Sequence, residues 1–267
     1  MTAMAYVRAL LGIVEREGLR FIHQRTRFFA ALVRPLVWLF IFAAGFRAIL
    51  GVSIISPYDT YILYEEYITP GLMVMILLFN GMQSSLSMVY DREMGSMKTL
   101  LVSPLPRWYL LSAKLLAGSL VSLLQVYTFV AIAWLWAIQP PVLGVLAVLP
   151  ALLLSAMMLG ALGLLLSSFI KQLENFAGVM NFVIFPMFFA SSALYPLWQI
   201  KESSVLLYNI AALNPFTHAV ELCRHALYLE LDLVSLAVVA GCLIVFMALA
   251  VVGYNPARGM MGRRAGA

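Results

Sequence analysis

Charge is scarce in this sequence. Its 267 residues hold 17 Lys and Arg against 12 Asp and Glu, 11% in all, where a soluble domain carries roughly 25%. A water-soluble globule is excluded. Cysteine is nearly absent, and Cys223 and Cys242 lie in different parts of the hydropathy pattern, so no disulfide is expected. No glycine opens a G-x-x-x-x-G-K-[ST] phosphate loop, so this chain is not expected to hydrolyse ATP. Neither G-x-S-x-G nor H-E-x-x-H occurs, which argues against an intramembrane enzyme. The alternation that marks a membrane β-barrel is missing as well; "LIVFMALAVV" does not alternate. The basic N-terminus lacks the short apolar core and small-residue site of a cleavable signal. No repeat, low-complexity tract or linker divides the chain, so one membrane domain is expected over 1–267.

What remains is long apolar runs, 63% hydrophobic residues with a mean hydropathy of +0.96. About 20 apolar residues cross a bilayer as a helix. The runs predict an all-α integral membrane protein with six transmembrane helices, near Leu36–Ile55, Tyr67–Tyr90, Leu110–Ile138, Leu143–Phe169, Phe176–Leu194 and Leu233–Tyr254. Arg8, Arg16, Arg20, Arg25, Arg27 and Arg34 precede the first run. Arg92, Lys98, Arg107 and Lys114 lie between the second and third, Lys171 after the fourth, and Arg258, Arg263 and Arg264 after the sixth. The opposite side has Lys201, Arg224 and Arg47 beside seven Asp and Glu, from Asp59 to Asp232. By the positive-inside bias both termini are cytoplasmic; the expected location is a plasma membrane, the bacterial inner membrane. The net charge of +5 is then a matter of topology, with no nucleic acid partner implied.

Residues 4–29 carry Val7, Leu10, Leu11, Val14, Gly18, Phe21 and Ile22 on one helical stripe, with Arg8, Arg16 and Arg20 off it. Such a helix lies in the bilayer interface, as an anchor or as a docking element. Asn80, Gln83, Ser84 and Ser87 form a polar stripe in the second span, and Gln125 shares a face with Gly118 and Ser122 in the third. Polar side chains in hydrocarbon face protein or water; these either line a pathway or bond a neighbouring helix. Ala156, Gly160, Gly163 and Ser167 read as a seam for close packing. Residues 195–232 are too long for a tight turn and too apolar for a solvated loop. There Asn214 can cap a helix with Pro215 at its first position. Glu221 and Arg224 are spaced for an ion pair. A metal site from His218, Glu221 and His225 is disfavoured because no fourth ligand is evident.

The ionisable residues concentrate in "DREMGSMKTLLVSPLPR", Asp91 to Arg107. Gly95 can end the preceding helix, and Ser103 with Pro104 can start another. Together with Leu110, Leu111 and Lys114, this run resembles the cytoplasmic signature of the ABC-2 type exporter permeases. "EEYITPGLMVMILLFNGMQSS" is similar to that family's Pro-Gly entry to the second span, and "ALNPFTHAVELCRHALY" to its Asn-Pro…Arg segment. The resemblance covers nearly the whole chain. It implies a coupling helix within 91–109, with Glu93, Gly95, Leu100, Leu101, Ser103 and Pro104 carried over by motif and Arg92, Lys98 and Arg107 as neighbours able to form rim ion pairs. It implies short outer helices in 195–232, with Asn214, Pro215, Glu221 and Arg224 at an outer gate. It also implies two copies of a separate ATP-binding subunit, which hold the ATP and Mg, and a second permease copy as a homodimer. The chain itself would bind no cofactor and catalyse nothing. An ion-coupled secondary transporter of a hydrophobic or amphipathic small molecule is the alternative; it usually shows midplane acids or broken helices, which this sequence lacks.

Overall fold

A computed structural model of the protein describes residues 3–23, 25–46, 57–58, 62–93, 105–136, 138–170 and 172–254. Among them every regular element is a helix. In chain order these are α1 (Ala3–His23), α2 (Arg25–Phe46), α3 (Tyr64–Glu93), α4 (Arg107–Leu135), α5 (Val142–Ala147) and α6 (Leu149–Phe169). Then follow α7 (Leu173–Phe189), α8 (Leu197–Ser203), α9 (Val205–Leu213), α10 (Pro215–Leu227) and α11 (Leu233–Gly253). Four of these, α3, α4, α6 and α11, are long and apolar enough to cross a bilayer; α2 and α7 contribute shorter apolar stretches, Ala31–Ile41 and Leu173–Phe189.

Several predicted boundaries move. The amphipathic helix over 4–29 ends at His23, and residues 25–29 already belong to α2. The helix that carries the first predicted run therefore begins 11 residues before Leu36, at Arg25, because charged residues do not stop a helix that propagates on backbone hydrogen bonds; 47–55 lie outside the described residues. The run 143–169 is two helices, α5 and α6, joined at Val148 with Pro150 in the first turn of α6. A proline there has no amide to give and marks a start. The fifth run closes at Phe189, after Pro186, instead of Leu194.

α3 is the hub. Leu72, Met73, Val74, Leu77 and Leu78 are buried, and α3 packs on α2, α4, α6, α7 and α10, most extensively on α6. The predicted small-residue seam makes that contact possible. A Cβ on Gly81 would stand 2.9 Å from the Gly160 Cα, and one on Gly163 would stand 3.0 Å from the Gly81 carbonyl oxygen. Ser167 completes the seam through its hydroxyl, bonded to Tyr254 past the end of α11. By contrast α11 leaves Ile244, Val245, Leu249 and Val252 exposed, the surface a bilayer covers.

Gly144 and Gly241 make opposite predictions. A Cβ on Gly144 of α5 would lie 1.7 Å from the Leu227 carbonyl oxygen, whereas Gly241 of α11 faces open space. Gly144→Ala is expected to cost about 1–3 kcal/mol by forcing α5 away from α10. Gly241→Ala should cost nothing and gain up to ~1 kcal/mol of helix propensity. Melting in detergent by intrinsic fluorescence separates the two.

Candidate functional site

Two polar clusters sit among these apolar helices, one in the half of the bundle nearer the Glu93 end of α3, the other at its Tyr64 end.

The first joins α3 to α4. Asn80 donates from Nδ2 to Gln125 Oε1, and Lys114 Nζ donates to Ser87 Oγ over 3.1 Å. Lys114 is 9% exposed; its stem packs in apolar surroundings while its ammonium reaches polar oxygen. Between these links lies a cavity of about 20 Å³ lined by Asn80, Ser84, Ser85, Lys114, Ser119 and Ser122 among others, room for about one water. A second cavity, about 120 Å³, opens between α2 and α3 and is lined by Arg34, Phe79, Asn80 and Gln83 among others. The predicted polar stripe is thus divided: Asn80, Ser87 and Gln125 bond across the helix pair, Ser84 faces the small cavity, and Gln83 faces the large one.

At the other end the chain leaves α7. A helix terminus frees its last carbonyls, and here side chains of other helices take them up. Asn214 Nδ2 donates to the Met187 and Ala190 carbonyls over 2.8 and 2.7 Å. Arg224 Nη2 and Tyr67 Oη donate to the Ser192 carbonyl over 2.9 and 3.0 Å. Tyr64 Oη donates to the Leu194 carbonyl over 2.9 Å. The Arg224 guanidinium lies 4.1 Å from the Tyr67 ring centre and pairs through Nη1 with Glu221. Arg224 is 2% exposed, so these contacts replace the hydration of Nη1 and Nη2, while the buried Nε has no hydrogen-bond partner among the described residues. The sequence motif pointed to Asn214, Pro215, Glu221 and Arg224, and the structure brings them together. Asn214 also caps α10 by accepting from the Phe216 amide, with Pro215 in the first turn. Tyr64 and Tyr67 were missed; their i, i+3 spacing at the start of a span, close to Glu65 and Glu66, was the available signal.

His218 and His225 do not converge on Glu221 as ligands. His218 bonds the Ala212 carbonyl and approaches Ser235, while His225 bonds the Glu221 carbonyl. Among the described residues no group of three suits a metal ion.

Asp232 caps α11, accepting from the Val234 and Ser235 amides and the Ser235 hydroxyl. Burial pushes its carboxyl up, but those hydrogen bonds outweigh it and hold the carboxyl below its ordinary 3.8. A depressed carboxyl stabilises above its unfolded value and loses that stability as pH falls through the folded one. Asp232→Asn retains a capping oxygen, so near neutrality it should change little. Below about pH 4 the wild type should lose melting temperature more steeply than the variant.

At the Glu93 end, Arg92 and Glu93 fall in the last turn of α3, and α4 starts at Arg107 with Pro106 as N-cap. Gly95, Lys98, Leu100, Leu101, Ser103 and Pro104 lie outside the described residues, as does all of 94–104 within the coupling region expected at 91–109. The first turn of α4 meets α1: Tyr109 donates to the Tyr6 carbonyl, and the two rings meet edge to face at 4.9 Å. The amphipathic helix and the start of α4 therefore lie side by side.

A model of the ABC-2 type transporter family matches residues 8–228. The "Putative transport permease ycf38" of Cyanophora paradoxa is 26% identical over 229 residues, 84% of this chain and 76% of its own. The "Probable multidrug ABC transporter permease YbhR" of Escherichia coli K12 is 31% identical over 176 residues, 65% of this chain but only 46% of that protein. A "Putative transport permease ycf38" of Porphyra purpurea is 26% identical over 225 residues, 82% of this chain and 74% of its own.

Proposed function

The chain belongs to the ABC-2 type transporter family as a multi-pass membrane subunit, and from that premise we propose that it forms the pathway of an ATP-driven exporter and couples it to a separate ATP-binding subunit. The reading takes the inner membrane as its site, six spans and both termini in the cytoplasm, as the distribution of Lys and Arg favours. Two ATP-binding subunits work with two permease copies. The "multidrug" in the name of the Escherichia coli relative is compatible with a hydrophobic or amphipathic cargo.

The observation that carries the reading is the position of α3. One 30-residue helix runs from the charged connection to the tyrosines that hold the end of α7, about 45 Å at 1.5 Å per residue. The chain supplies no phosphate loop, so force must come from outside, and the connection between α3 and α4, whose α4 start meets α1, is where a motor protein would press. A push on the Glu93 end moves α3 with α4, since Asn80–Gln125 and Lys114–Ser87 tie the two together. At the far end Tyr64 and Tyr67 draw on the Ser192 and Leu194 carbonyls, with Asn214 and Arg224 holding α10 to the same segment. Opening the outer gate is then release or displacement of that segment. The permease binds and conducts; ATP chemistry stays with the partner.

Gentle purification of the native protein from its membrane, with mass spectrometry of what accompanies it, tests the reading. An ATP-binding protein in equal stoichiometry is expected. A pure permease that moves cargo in ATP-free vesicles on an ion gradient alone would replace this reading with the secondary transporter.

A further inference from the structure

Arg34 lies within the apolar stretch Ala31–Ile41 of α2. Its guanidinium carbon stands 3.8 Å from the centre of the Phe79 ring, and Phe79 is 11 residues from the Tyr90 end of its span, about 16 Å along the helix. A cation at that depth is costly in hydrocarbon and marks a pathway or a partner. A guanidinium carries an in-plane N–H fork, the edge that grips a carboxylate or phosphate two-handedly. Arg34 lines the 120 Å³ cavity, where no Asp or Glu is found among the described lining residues. Neutral donors are present: Asn80 gives one amide hydrogen to Gln125 and has a second. Pro35 lines the same space and has no amide hydrogen to give the Ala31 carbonyl. The space holds several waters' worth of volume, at roughly 10–15 Å³ each, yet falls short of the roughly 300 Å³ at which drug-sized pockets begin.

We propose that this cavity binds the anionic headgroup of an amphipathic molecule, a phosphate or carboxylate gripped by Arg34, with the hydrocarbon tail left in the bilayer. Its role in transport rests on the exporter reading; the binding does not. A membrane lipid and a transported amphipath offer the same chemistry, and the test tells them apart.

The test is equilibrium binding of radiolabelled dodecyl phosphate to the full-length permease in phosphatidylcholine nanodiscs, with dodecyltrimethylammonium as the opposite-charge probe. Saturable binding of dodecyl phosphate, at least about tenfold tighter than that of the cation, is expected. Arg34→Gln should remove that preference, while Arg34→Lys, which keeps charge without the fork, should retain part of it. Equal binding of the two probes by the wild-type protein overturns the proposal, whether or not the variants fold. So does an undiminished preference in a folded Arg34→Gln. Discs containing phosphatidylglycerol separate the sources: displacement of dodecyl phosphate assigns the site to a membrane lipid, and persistence assigns it to cargo. No ATP-binding partner enters the assay, so its outcome is independent of the co-purification experiment.

Discussion

Arg224→Met is expected to destabilise the permease by about 3–5 kcal/mol, the cost of removing one partner from a buried ion pair. The guanidinium serves three groups at once: Glu221, the Ser192 carbonyl and the face of Tyr67. Methionine fills a similar volume and supplies no donor. Glu221 is then left with a side chain only 18% exposed and with the His225 ring nitrogen Nδ1 3.9 Å away. The Ser192 carbonyl retains only Tyr67. Arg224→Lys should lose less, since it restores charge but cannot reach both acceptors with a planar fork. Adding Glu221→Gln to Arg224→Met should recover part of the loss by removing the stranded charge. Melting of detergent-purified protein measures all three. A midpoint for Arg224→Met equal to the wild type would show that these contacts do not hold the end of α7. Under the proposed exporter function, the same change should weaken the outer gate, so any residual transport should leak.

Glu93→Arg is expected to abolish association with the ATP-binding subunit while leaving insertion and folding intact. Glu93 closes α3, and the C-terminal end of a helix favours cations over anions by about 0.3–1 kcal/mol. An acid there works slightly against its own helix, so reversing its charge should not lower the melting temperature. A stability-driven loss of the partner is thereby separated from a contact-driven one. Co-purification reads the first effect and thermal melting the second. Normal recovery of the ATP-binding protein with the variant, and normal export, would remove Glu93 from the coupling surface. The neighbouring Arg92, Lys98 and Arg107 are rim charges by this reading, each worth about 0–1 kcal/mol, so single substitutions there should change association far less.

Much of the site was legible residue by residue where the physics is local. The Asn214–Pro215 start of α10 and the Glu221–Arg224 pair depend only on spacing along one helix, and both are present. The seam at Gly160 and Gly163 showed as a run of small side chains, though not that its partner would be Gly81. Arg34 was read as a flanking charge before the first span because hydropathy windows place a boundary where charge occurs; the helix continues through it, and Phe79 from α3 supplies its company. The break at Val148 is hidden for the opposite reason: α5 and α6 are both apolar, and a hydropathy average does not register where one helix ends and the next begins.

The sequence by itself determined the class of molecule: too little charge for water, runs long enough for a bilayer, no phosphate loop, and one charged connection with a family's signature. These are one-dimensional properties, set by the free energy of moving each segment from water to hydrocarbon. Only the tertiary structure decided that the polar stripe of α3 is shared between α4 and two cavities, and that the end of α7 is held by donors from α3 and α10. Its contacts join residues as far apart as Tyr64 and Leu194. A freed carbonyl in an apolar medium must find a donor, but which helix brings that donor depends on how the helices pack, and close packing is set by pairs of small residues that no single segment contains.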